Sequence, residues 1–247
     1  MRYRFLALDI DGTLVRPHEN EVRAKVINAI EKAKEFLQIS LISARSWKDQ
    51  EIIVKKLGLE NSYHAIENGA KVVNPQGEIE NSNTLTKHES DQIIDLARDF
   101  MLDFGICING EWLSESKSSD EISTLSLISE NLTSAEEIIT VIEKLPEQYS
   151  ITVGDHWSNS EWKVTLVSSR NASKGKGLEY IQNRLGIKIS ETIVVGDGAS
   201  DIPAMQYAGL KVAMGNSEKV MLDIADYTAP SVEDDGVVKV IEKFVIN

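Results

Sequence analysis

Near its start the chain reads Leu6-Ala7-Leu8-Asp9-Ile10-Asp11-Gly12-Thr13-Leu14, which sets two carboxylates, two residues apart, at the mouth of an apolar strand. Residues 6–10 read as a short buried strand, and strand side chains alternate faces, so Asp9 and Asp11 are expected to point the same way. Gly12 breaks the strand and Thr13 opens the next segment. Like charges side by side repel, and beside an apolar sheet each also loses solvation. A surface Asp-Gly turn is the plain explanation. A cation held between the carboxylates is the sharper one.

The first third alternates strand and helix. The pattern predicts a helix over about 21–36 with Val22, Val26, Ile30 and Ala33 on one stripe, and a strand over 38–43. A helix capped by Ser46, with Asp49 three residues on, comes next and stops at Gly58. Residues 64–67 read as a strand, and 71–79 as a hairpin around Asn74-Pro75-Gln76-Gly77. The middle predicts a helix over 90–104 ended by Gly105, strands near 106–108 and 112–113, and a helix from Thr133, with Glu136, to about 144. Strands over 149–153 and 161–167 flank a polar turn at 155–160. The last third predicts helices over 177–185, 201–207, 218–225 and 237–244 and strands over 192–195 and 211–214, with Pro203 tolerated in a first turn.

The fold class expected is therefore α/β, a Rossmann-like parallel sheet interrupted by an inserted α+β domain. Residues 1–80 and 171–247 are expected to form the core and 81–170 the insert. Trp112, Trp157 and Trp162 lie in that insert, and packing in its core is expected of them ahead of lining a pocket. His156 is assigned no role.

Charge excludes one class of partner. Residues 80–170 carry 17 Asp+Glu against 6 Lys+Arg, a net of −11 out of −13 for the whole chain. A nucleic-acid backbone would be repelled, so no nucleic-acid partner is expected. Cys107 is the single cysteine, so no disulfide closes within the chain. The apolar run after the basic start reaches Asp9 too soon for a signal peptide, and no stretch has the length to span a bilayer. A cytoplasmic protein without a membrane partner is expected; nothing in the sequence sets its oligomeric state.

Four expected strand ends in the core carry polar groups of the kinds phosphoryl transfer uses, and in an open parallel sheet ligands bind beyond those ends. The first is Asp9 and Asp11. The second is Ser43, followed by Ala44 and Arg45, where a hydroxyl and backbone N–H groups either cap a helix or hold a phosphate oxygen. The third is Lys174, where the chain re-enters the core in Asn171-Ala172-Ser173-Lys174-Gly175-Lys176-Gly177. The fourth is Gly196-Asp197-Gly198-Ala199-Ser200-Asp201, a second acidic pair after a second buried strand. Together they suit Mg²⁺-assisted attack on a phosphate, since Mg²⁺ takes oxygen ligands, keeps several waters and needs only two or three protein oxygens.

The ordered set Asp9-Ile10-Asp11-Gly12-Thr13, Ser43, Lys174 and Gly196-Asp197 with Asp201 resembles the haloacid dehalogenase superfamily of phosphatases. The place of the insert is similar to the type 2 cap subclass, which includes the Cof-like hydrolases. Glu67-Asn68-Gly69-Ala70, Ala213-Met214-Gly215-Asn216 and Glu233-Asp234-Asp235-Gly236-Val237 also match. The resemblance implies that Asp9 is nucleophile and metal ligand. It makes Asp11 the general acid and then base, with its backbone carbonyl on the metal. Ser43, the residue after it, Ala44, and Lys174 would bind phosphate. Asp197 would complete the Mg²⁺ site, with Asp201 a ligand or an orienting acid. Ala44 stands where the family commonly has glycine and Ser200 where it commonly has asparagine.

The activity so implied is a phosphatase acting on a small phosphorylated metabolite. The resemblance leans toward the archaeal-type phosphoglycolate phosphatases, with sucrose-phosphate and other sugar-phosphate phosphatases close behind. A phosphomannomutase-like mutase is the alternative of another class, and a non-enzymatic phosphate-binding protein a third, against which the complete acidic set argues.

Overall fold

The computed structural model describes residues 3–17, 19–113, 121–145, 148–156 and 159–246. It divides into two compact units, Met1–Asn81 with Lys174–Asn247, and Ser82–Ser173.

The first unit begins with β1 (Phe5–Leu8), α1 (Ala24–Ala33), β2 (Gln38–Leu41), α2 (Trp47–Leu57), β3 (His64–Ile66), β4 (Lys71–Val73) and β5 (Ile79–Ser82). The second holds α3 (Lys87–Asp99), β6 (Asp103–Ile108), β7 (Glu111–Leu113), β8 (Ile122–Ser129), α4 (Leu132–Ile142), β9 (Tyr149–His156) and β10 (Asn159–Ser169). The chain then returns through α5 (Lys174–Leu185), β11 (Thr192–Gly196), α6 (Ile202–Met205), β12 (Leu210–Ala213), α7 (Lys219–Ile224), β13 (Tyr227–Thr228) and α8 (Gly236–Ile241).

In the first unit five parallel strands form one sheet in the order β13-β12-β11-β1-β2. Both of its faces are covered, which is why its strands are apolar without alternation. Leu6 and Leu8 pack with Ile39, Leu41, Ile193 and Val195 beneath α1, α2 and α8, while Phe5 and Ala7 pack with Val194 and Ala213 beneath α5, α6 and α7. Helix α1 meets its face through Val26, Ala29, Ile30 and Ala33, one stripe at helical spacing. Each large side chain buried this way is worth about 2 kcal/mol. From β1 the chain leaves toward one face and from β11 toward the other. That reversal opens a crevice at the carboxyl ends of the two adjacent strands.

The capping expected at Ser46 is present: its Oγ accepts from Asp49 N at 3.3 Å and donates to Asp49 Oδ2 at 2.9 Å, and Gly58 ends α2 at φ 61°. Strands β3, β4 and β5 make a separate small sheet. Asn74 Oδ1 closes the turn between β4 and β5 by accepting from the N–H groups of Gln76 and Glu78.

The second unit is an antiparallel sheet in the order β7-β6-β8-β10-β9. Ile93, Ile94 and Ala97 of α3 and Ile138 and Ile142 of α4 pack on Ile106, Leu125, Leu127 and Val167. Four expectations fail here. Helix α3 starts earlier than expected, at a Thr86–Glu89 capping box, and ends at Asp99; Met101 adopts φ 53°, and Phe104 belongs to β6. Helix α4 is capped by Asn131, whose Oδ1 accepts from Ser134 N, so Thr133 lies inside it. Strand β8, unforeseen, occupies the middle of the sheet. Trp112 and Trp162 do not pack in the core: they are 54% and 36% exposed. Trp157 lies outside the described residues, as does part of the turn expected at 155–160. His156 is buried and meets the Trp162 ring edge-on at 5.4 Å. Among the described residues no helix is long and apolar enough to cross a membrane.

Candidate active site

Strand β1 ends at Leu8, two residues before the expected boundary, so the strict alternation that would align Asp9 with Asp11 stops before it reaches them. The backbone of Asp9 still extends the sheet, its N–H donating to Val195 O at 3.0 Å. The two carboxylates then take different partners. Asp9 is buried, and its Oδ1 accepts from Lys174 Nζ at 2.7 Å. Asp11 is paired with Arg45, whose Nε donates to Oδ2 at 2.8 Å and whose second guanidinium nitrogen donates to Oδ1 at 2.7 Å.

Lys174, the first residue of α5, is buried and also donates to Asp201 Oδ1 at 2.6 Å. Asp201 turns its other oxygen back on its own loop, where Oδ2 accepts from the N–H groups of Asp197 and Gly198 at 3.0 and 3.1 Å. One oxygen each from Asp9, Asp197 and Asp201 lies within 4.8 Å of the others. Segments at positions 9, 174 and 197–201 thus meet at the ends of β1 and β11, in the crevice that the chain reversal makes.

Glycines allow the approach. A Cβ at Gly196 would sit 2.5 Å from the Asp201 carboxyl, and one at Gly12, which has φ 78°, only 2.1 Å from Asp197 Oδ2. Asn216 adds a brace. Its Nδ2 donates to Gly12 O at 2.9 Å and Asp197 Oδ2 at 3.2 Å, and its Oδ1 accepts from Val232 N at 2.8 Å.

Three carboxylates and one ammonium leave the cluster short of positive charge. Burial raises the Asp9 carboxyl to about 8, with Lys174 opposing and the charge of Asp201 adding to the rise. Asp197 is raised to about 7, mainly by burial and then by Asp201. Burial works against the Lys174 ammonium, but the charges of Asp201 and Asp9 outweigh it and hold its pKa above the usual lysine value. Paired acids that ionise reluctantly when alone accept a cation readily. The donors are all hard carboxylate oxygens, the set Mg²⁺ prefers.

Ser43 is buried at the end of the neighbouring strand, and its Oγ accepts from Arg45 N at 3.1 Å. Its N–H donates to Ala65 O and its carbonyl accepts from Asn68 N. Ala44 is exposed between them. The acidic cluster draws in Asp9, Lys174, Asp197 and Asp201; Asp11 turns to Arg45, and Ser43 to its own loop. Arg45 and Asn216 have no role assignable from sequence alone. Arg45 sits two residues after Ser43, and Asn216 closes the stretch Ala213-Met214-Gly215-Asn216, so position was the one available signal for either.

A family model described as haloacid dehalogenase-like hydrolase matches residues 6–131 and 114–241. Phosphatase YwpJ of Bacillus subtilis is 24% identical over 280 residues, covering 95% of this chain and 97% of its own. A phosphoglycolate phosphatase of Methanobrevibacter smithii is 36% identical over 80 residues, which is 32% of this chain and 34% of that protein. Among solved structures, the subclass IIB sugar phosphatase BT4131 of the same superfamily superposes with a TM-score of 0.77 at 20% identity, over 99% of this chain and 100% of its own.

Proposed function

The chain belongs to the haloacid dehalogenase-like hydrolase family, and from that premise we propose that it is a Mg²⁺-dependent phosphomonoesterase that works through an aspartyl-phosphate on Asp9. The observation that carries the reading is the pair of buried carboxylates Asp9 and Asp201 on Lys174, with the half-buried Asp197 beside them, at two adjacent parallel strand ends. No stability argument needs three carboxylates there, since a buried unpaired charge is costly.

In this reading a carboxylate oxygen of Asp9 attacks phosphorus, the bond from phosphorus to the alcohol oxygen breaks, and Asp11 gives that oxygen a proton. Water then attacks the phosphorus of phospho-Asp9, loses its proton to Asp11, and frees Asp9 and inorganic phosphate. Lys174, Ser43 and the backbone at Ala44 hold the non-bridging phosphoryl oxygens. Asp9, Asp197, Asp201 and the Asp11 carbonyl are the groups that would hold Mg²⁺, which when bound offsets charge on the transferring phosphoryl group. Arg45 grips both Asp11 carboxylate oxygens, so in this reading Asp11 swings off the arginine to reach the leaving oxygen and the attacking water.

Residues 81–170 form the substrate-selecting cap in this proposal. The substrate is a small phosphomonoester, phosphoglycolate in the first place; the partial relatives that bear this name support it. Sugar phosphates come second, supported by the fold shared with BT4131. The test is phosphate release with Mg²⁺ across phosphoglycolate, hexose phosphates, sucrose phosphate, nucleotides and a bisphosphorylated sugar. Turnover of phosphoglycolate above the rest is expected. Faster turnover of a hexose phosphate would move the assignment to sugar phosphates, and no release from any of them would overturn the activity.

A further inference from the structure

The stretch Glu67-Asn68-Gly69-Ala70, between β3 and β4, has no part in the chemistry above. It nevertheless concentrates backbone strain. Glu67, Asn68 and Gly69 come one after another at φ 50°, 57° and 83°, all in the left-handed region. Two of the three have a Cβ, for which that region is unfavourable, and Asn tolerates it better than most residues. Strain of this kind persists where the surroundings hold it and concentrates at functional sites.

The surroundings here are two parts of the phosphate-binding apparatus. Glu67 N–H donates to Arg45 O at 2.8 Å and Asn68 N–H to Ser43 O at 3.0 Å, so consecutive amides grip both ends of the Ser43–Arg45 loop. On the other side Gly69 lies against the first turn of α5. A Cβ on Gly177 would sit 2.8 Å from Ala65 Cβ and 3.1 Å from Gly69 Cα. Gly177 is three residues after Lys174. The Glu67 carboxylate is locked in turn by Lys71 Nζ at 3.1 Å, both side chains being at most 5% exposed. The left-handed backbone at Glu67 aims the Asn68 N–H at Ser43 O, and the left-handed backbone at Asn68 turns the chain from that amide to Gly69 against α5.

We propose that Glu67-Asn68-Gly69 is a positioning element that sets Ser43 and Lys174 at the spacing a phosphate needs, and that the left-handed backbone at Asn68 is the feature that does so. This rests on the reading of Ser43 and Lys174 as phosphate ligands.

Calorimetric titration with inorganic phosphate, in Mg²⁺, tests it on the wild type, Asn68→Gly, Asn68→Ala and Gly177→Ala. Glycine adopts the required φ without strain. Asn68→Gly is therefore expected to bind phosphate as the wild type does, within about twofold, while Asn68→Ala binds about tenfold more weakly. Gly177→Ala, which pushes Gly69 off α5, is expected to weaken binding as well. Asn68→Gly binding as weakly as Asn68→Ala would overturn the proposal, because the side chain and not the backbone would then matter. So would a folded Asn68→Ala that binds as the wild type does. If the alanine variant does not fold, the glycine and Gly177→Ala variants still decide. A wild type that takes up no phosphate would instead overturn the ligand reading on which the proposal stands.

Discussion

Arg45 holds Asp11 through both carboxylate oxygens, and its remaining donors reach Glu19 O at 2.7 Å and the side chain of Asn20. Only 12% of the Arg45 side chain is exposed against 36% for Asp11, so the grip is shielded on the arginine side and open to water on the other. A planar fork fixes direction as well as distance, which a lysine ammonium does not. Arg45 fixes where the Asp11 carboxyl rests between proton transfers, so its loss should matter most when the leaving group needs a proton. Arg45→Ala is expected to slow an alkyl or sugar phosphate by about 10²-fold, in the range of general acid catalysis, while p-nitrophenyl phosphate slows by about threefold or less. Arg45→Lys should not restore the alkyl rate. Equal losses on both substrates would refute the role. At this scale the sequence showed which residue types lie at the site, because Asp9, Lys174, Asp197 and Asp201 stand in recognisable company. It did not show that Asp9 and Asp11 part ways. That depends on β1 ending at Leu8 and on an arginine 34 residues away.

Among elements, the edge strand β2 shows how a buried polar group is turned to structural use. The N–H of Leu41 donates to His64 Nδ1 at 3.1 Å, and His64 Nε2 donates to Leu59 O at 3.0 Å, which assigns the neutral tautomer with its proton on Nε2. The ring stacks on Trp47 at 6.0 Å. Burial lowers the His64 pKa to about 4, against the pull of its bond to Leu59. The unfolded chain binds a proton near pH 6.5 that the folded chain refuses until about pH 4. The contribution of His64 to stability is therefore complete above pH 6.5 and shrinks as pH falls through that window, by about 3 kcal/mol in all. Urea unfolding at pH 7 and pH 4 should show the wild type losing about that much more than His64→Gln. The same loss in both proteins would contradict it. The elements that the sequence made legible have one apolar stripe and a clear cap, such as α2 between Ser46 and Gly58. Strand β8 has no clear signal beyond Leu125 and Leu127 alternating with Thr124 and Ser126, and the sequence extends α3 too far because Phe104 continues its helical spacing by accident.

In the whole molecule, the site exists because a parallel sheet brings together segments from the two ends of the chain. Asp9 comes from the first strand, while Lys174 and Asp197 come from beyond the second unit, so the candidate nucleophile meets its ammonium partner across 165 positions. Strand–helix alternation in both flanks made that sheet legible. The strand order β13-β12-β11-β1-β2, which sets β1 beside β11, was not, because nothing local in an apolar run names its neighbour. The central claim is that Asp9 carries the phosphoryl group, and Asp11→Asn exposes it most directly. p-Nitrophenolate leaves without needing a proton, so this variant should still form phospho-Asp9 from p-nitrophenyl phosphate but lack the base that activates water. Acid quench of Asp11→Asn after reaction with p-nitrophenyl [³²P]phosphate, followed by borohydride reduction and peptide mass analysis, should find label on the protein and homoserine at position 9. A folded, Mg²⁺-loaded variant that cleaves its first equivalent of substrate with no protein-bound label, or with label at any other residue, would contradict the account.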